Sequence, residues 1–161
     1  MATLYGTQYA DAYVEVPLTK IPASDFNAKE QVIYFDYAIT AVPTAADIIK
    51  LAKIPKGARI TDAILSFPDL GTTGVLELGW AASLELADGV TVEAASASGL
   101  LASVDVNAAA VGAINMVPKS GAAVAGFLKK FSGECDLQIT VTTAWTVTSG
   151  TIKGVIKYVA G

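Results

Sequence analysis

The sequence predicts an all-β fold: an antiparallel β-sandwich or jelly-roll-like barrel, with a short helical excursion around residues 95–112 and an irregular N-terminal arm. Three observations lead there. Short segments of alternating apolar and polar residues recur along residues 31–160, separated by Gly, Pro and Asp turn signals. No strand–helix–strand rhythm interrupts them. The stretch LQITVTTAWTVT has a strict period of two with a wet threonine face, the mark of an antiparallel sheet with one solvated side. A length of 161 residues sets one domain as the expectation, divided into an arm over 1–30 and a single β domain over 31–161.

Residues 1–30 carry two prolines, scattered charges and no sustained period. Tyr5, Tyr9 and Tyr13 recur every four residues, which would stack them on one helix face, but Gly6 and the strand-forming VEV oppose a long helix. Tyrosine combines a large contact area with a polar tip, so these three are the candidate partner-binding residues of the arm. The competing reading is that the arm folds back on its own domain.

The first strand is expected in QVIYFDYAIT, with Ile33, Phe35, Tyr37 and Ile39 on one face and Val32, Tyr34, Asp36 and Ala38 on the other. DIIKLAKIP follows, stopped by Pro55 and a Lys56-Gly57 turn, and then ARITDAILSF, ended by Pro68. In GVLELGWAASLEL, Leu76, Leu78 and Trp80 point one way. Residues 91–118 are dominated by small side chains, alternation weakens, and Asp105 is placed to cap a helical turn over 107–111. The C-terminal pair of strands has Leu137, Ile139, Val141, Thr143, Trp145 and Val147 on one face, a Ser149-Gly150 hairpin turn, and then Ile152, Ile156 and Tyr158 inward with Lys153 and Lys157 outward.

Apolar residues make up 53% of the chain and charged residues 16%, with a mean hydropathy of +0.51. Average chains are about 25% charged, so this apolar excess calls for a subunit interface, a fibre or a membrane. No stretch offers the run of about 20 apolar residues that a spanning helix needs. The N-terminus lacks a basic region followed by an apolar one, so synthesis in the cytoplasm without export is expected. The net charge of −4 gives no basic footprint for nucleic acid. Lys50, Lys53, Lys56 and Arg59 cluster, but Asp47 and Asp62 flank them.

The chain has no histidine, which removes His general bases, catalytic triads and most zinc sites. Cys135 lies between Glu134 and Asp136, whose charges oppose thiolate formation. Glu77, Glu85, Glu93, Asp62 and Asp69 are acid–base candidates by residue type alone. No catalytic, metal or cofactor-binding set emerges. The hexamer DLGTTG, Asp69 to Gly74, resembles the phosphate-gripping hairpin of actin-like and heat-shock-chaperone ATPases. Pro68 removes an amide donor there, and the chain is too short for the two lobes such enzymes need. The simpler expectation is a tight loop between two antiparallel strands.

Four segments taken together resemble the head decoration, or cement, proteins of tailed bacteriophages. They are DIIKLAKIPKGARITDAILSFPDLGTTGVLELGW, SGLLASVDVNAAAVGA, VAGFLKKFSGECDLQITVT and AWTVTSGTIKGVIKYV, spanning roughly residues 31–160. The arm is not part of the match. The resemblance implies a virion structural protein, a compact and often trimeric β domain on the outside of the head. It would bind the major capsid protein and hold neighbouring subunits, with no catalysis, cofactor, nucleic acid or membrane. Two other readings stand beside it: a tail or head-fibre component, and a carbohydrate-binding β-sandwich. The last wants exposed aromatic platforms, whereas Trp80 and Trp145 fall on inward faces.

Overall fold

A computed structural model describes residues 29–84, 91–107, 112–115 and 129–160. Its strands are β1 (Glu30–Ala38), β2 (Ile48–Ile54), β3 (Arg59–Phe67), β4 (Val75–Trp80), β5 (Ser83–Leu84), β6 (Thr91–Glu93), β7 (Ser96–Asp105), β8 (Gly112–Asn115), β9 (Cys135–Thr143) and β10 (Thr151–Val159). They form two four-stranded antiparallel sheets, ordered β1-β10-β3-β8 and β2-β9-β4-β7, and a small β5-β6 pair. Among the described residues there is no helix. Residues 1–28 of the arm, with Tyr5, Tyr9 and Tyr13, lie outside the described residues, and Glu30 already belongs to β1.

The alternation expected in β1 is realised. Phe35 and Ile39 are buried, Ile33 and Tyr37 pack against the same core, and Tyr34 on the opposite face is 76% exposed. Both sheets feed one buried cluster: Ile60, Leu65, Ile152 and Ile156 from the first, Leu76, Leu78, Leu137, Ile139 and Val141 from the second. Each such side chain contributes about 1.5–3 kcal/mol on leaving water, so this shared interior is what holds the two sheets together.

Two expected turns prove to be something else. β3 and β4 belong to different sheets, as do β9 and β10. Residues 68–74 and 144–150 are therefore crossings between sheets, not hairpins. Trp145 explains the second: it is 1% exposed, so the chain leaves β9 after Thr143 by dipping into the core.

The helical excursion is also corrected over its described part. Residues 96–105 and 112–115 are strand, while 108–111 lie outside the described residues. Asp105 does accept the Asn107 amide at 2.8 Å. The small residues have a packing cause instead of a helical one. A side chain at Gly99 would collide with the Trp80 ring, and one at Gly79 would strike the Ser96 and Ala97 carbonyls. Four steps along β4, from Leu76 to Trp80, are matched by eight along β7, from Val104 to Ser96. These bulges, one with Ser103 at φ 47°, are what blurred the alternation.

Candidate functional site

The DLGTTG crossing sits in a knot of loops. Leu70 is fully buried, its amide donates to the Val106 carbonyl at 3.3 Å, and its own carbonyl accepts the Thr146 amide at 3.1 Å. The Val106 amide returns to the Gly74 carbonyl at 3.1 Å. The Gly71 amide, the donor a phosphate would need, is already taken by the Asp69 carboxylate at 2.8 Å. Gly71 has φ 99°, and a side chain there would overlap the Thr146 hydroxyl. The hexamer is thus committed to joining three connections, and its resemblance to a nucleotide grip ends there.

The acid–base candidates are dispersed into structural duties. Glu93 is buried, pairs with Lys129 at 2.8 Å and accepts the Ser132 amide at 3.1 Å. Burial opposes its ionisation, but the Lys129 ammonium and the Ser132 donors outweigh it and hold the carboxyl below its ordinary range. Asp62 accepts its neighbour's amide and stands 3.8 Å from Lys157. Glu77 is half-buried opposite Thr140 on β9, and Glu85 lies outside the described residues. Cys135 is buried, and its pKa is pushed up to about 11 by burial first and by the Glu93 charge second. Among the described residues no group of three or more His, Cys, Asp or Glu side chains could hold a metal ion.

The basic cluster also dissolves into pairs. Lys50 meets Asp136 and Lys53 meets Glu134, each at 2.6 Å across β2 and β9. Trp80 and Trp145 are 2% and 1% exposed, so neither is a sugar platform. The Trp80 indole donates to the Ala94 carbonyl at 2.9 Å, and its ring meets Phe131 edge-on at 5.1 Å.

Among the described residues, exposed apolar side chains line up on the outer face of the first sheet. Register places Tyr34, Val155 and Ile64 in one row across β1, β10 and β3. Val32, Tyr34 and Ile64 are all exposed. Asp36, Lys153 and Ser66 form the next row on one side, and Val32, Lys157 and Asp62 the row on the other. A shallow depression of about 460 Å³ opens here, lined in part by Tyr34, Ile64, Lys153 and Val155. The face follows from the period of two in β1 and from the outward lysines of β10. Sequence alone did not show that the topology sets these strands side by side.

No family model matches the chain, and no curated protein matches it significantly. Solved structures do. A chain of "Capsid of Ralstonia phage GP4" superposes with a TM-score of 0.63 at 24% identity, covering 94% of each chain. A chain of "Cyanophage Pam1 capsid asymmetric unit" gives 0.64 at 20% identity, covering 92% of this chain and 99% of the other. At such identities the likeness establishes a shared fold.

Proposed function

We propose that this chain is a structural protein of a phage virion that binds the outer surface of the head and clamps neighbouring capsid subunits, stabilising the shell. The observation that carries the reading is the fold shared, over nearly the whole length of both partners, with chains of two phage capsid structures. The strand order supports it. Sheets ordered β1-β10-β3-β8 and β2-β9-β4-β7 support the reading of an eight-stranded jelly roll with β5-β6 inserted, an architecture that viral capsid domains use. The dispersal of the described acid–base candidates favours binding over catalysis. The exposed apolar row on the outer sheet, with the apolar excess of the whole chain, suits an assembly subunit.

In this reading the protein is made in the host cytoplasm, assembles as a homotrimer and meets the major capsid protein. Residues 1–30 are its docking arm, with Tyr5, Tyr9 and Tyr13 as contact residues, and 31–161 its β domain. The test is reconstitution. Purified protein is mixed with phage heads that lack it, and bound copies are counted by co-sedimentation and electron cryomicroscopy. Ordered occupancy with heads surviving higher temperature supports the proposal. Absence of binding to heads, with binding to tails or fibres instead, overturns it. Light scattering decides the trimer.

A further inference from the structure

The outer face of the first sheet carries two lysines whose spacing bears on what covers it. Lys153 and Lys157 lie four residues apart on β10, about 13 Å in an extended strand, with Val155 between them. Lys157 already has Asp62 at 3.8 Å, whereas Lys153 is exposed, lies beside Asp36 in the same row and forms no ion pair among the described residues. A second copy of the face is the rival occupant. A two-fold axis along β10 sets Lys153 against Lys153, and one across β10 through Val155 sets Lys153 against Lys157, but one midway between β1 and β10 sets Lys153 against Asp36.

The sequence holds a complementary segment. In YADAYVE, an extended backbone puts Tyr9, Asp11, Tyr13 and Glu15 on one side, with the two acids again four residues and about 13 Å apart. Tyr13 falls between them as Val155 falls between the lysines. We propose that residues 9–15 of the chain dock, extended, on the outer face of its own first sheet, with Tyr13 on the Tyr34–Val155–Ile64 row and the two acids toward Lys153 and Lys157. The reach is sufficient. Residues 16–29 span up to roughly 45 Å, whereas Val155 lies only about 15 Å from the start of β1, four residues along and one strand across. So short a tether gives an effective concentration near millimolar, which favours the chain's own segment over a neighbour's.

This inference concerns the free protein, before its arm meets a head, and is tested on the free full-length protein. Tyr13→Cys and Val155→Cys are introduced together and oxidised mildly. Cys135, buried as a neutral thiol, does not compete. The expected product is a disulfide within one chain, seen by non-reducing electrophoresis and mass. Adding Lys153→Glu should cut its yield about fivefold, and one of Asp11→Lys or Glu15→Lys should restore it and so report the direction of the segment. Hydrogen exchange on the unaltered chain should show residues 9–15 protected, with protection lost in K153E. A yield indifferent to K153E, rescue by neither arm variant, or a disulfide only between two chains would overturn the proposal. Failure to bind heads would leave it untouched.

Discussion

Cys135 and Glu93 show how ionisable residues in this chain serve packing instead of chemistry. The thiol is neutral in the fold up to about pH 11, while in the unfolded chain it ionises near pH 9. The unfolded state therefore releases its proton first, and stability held below pH 9 is lost as pH rises toward 11. Comparing the denaturation of wild type with Cys135→Ala across that window should isolate a loss on the order of 2 kcal/mol present only in the wild type. At pH 8 the native thiol should resist a disulfide reagent. Glu93 has the opposite sign. Its carboxyl is held below the ordinary value, so its contribution is present above about pH 4.3 and fades as pH falls through the folded value. Glu93→Gln leaves half-buried Lys129 without its charge partner and should destabilise by about 1–3 kcal/mol at pH 7. The difference from wild type should shrink at pH 3 in the same thermal unfolding assay.

At the scale of elements, the strands with one clean face were legible. β1, β4, β9 and β10 carry period-two patterns because each lays one face on a single interior, and burial follows the pattern apart from Gly79 and Gln138, buried on the other face, and Thr143, which is exposed. What failed was pairing and regularity. Ser149-Gly150 has hairpin chemistry, yet β9 and β10 lie in different sheets, since turn residues report a reversal and not which strand comes next to which. β7 was hidden because its small residues answer to the Trp80 ring and to close backbone approach, contacts that no local window contains. The outer-face row needed three strands distant in sequence to be brought into register. Two substitutions test these accounts. Gly99→Leu should force Trp80 from its site and cost several kcal/mol, visible as a red-shifted, quenched tryptophan emission and a lowered melting point. Gly71→Ala meets both a left-handed backbone and the Thr146 hydroxyl, and should cost about 1–3 kcal/mol without altering the strands. A neutral result at Gly71 would mean that the three crossings are not mechanically joined through it.

For the whole molecule, clamping makes a quantitative demand that mere adhesion does not. A trimer that touches several shell subunits at once turns each later contact into an intramolecular event. Its affinity for an assembled head should then exceed its affinity for an isolated capsid subunit by about 10²–10⁴. A protein that sits on one subunit only would show the same affinity for both. The two cases separate in one experiment, with immobilised heads and immobilised subunits presented to the same protein over a concentration series. Deleting residues 1–20 adds the second arm of the test. If the tyrosines of the arm supply part of the contact, occupancy on heads falls while the β domain keeps its melting transition. Multivalent binding amplifies that loss. If the protein is the proposed trimer, a modest weakening per contact is multiplied across its copies, so dissociation from heads should quicken far more than dissociation from single subunits. Equal acceleration on both would place the arm outside the shell contact and return it to the face of its own sheet.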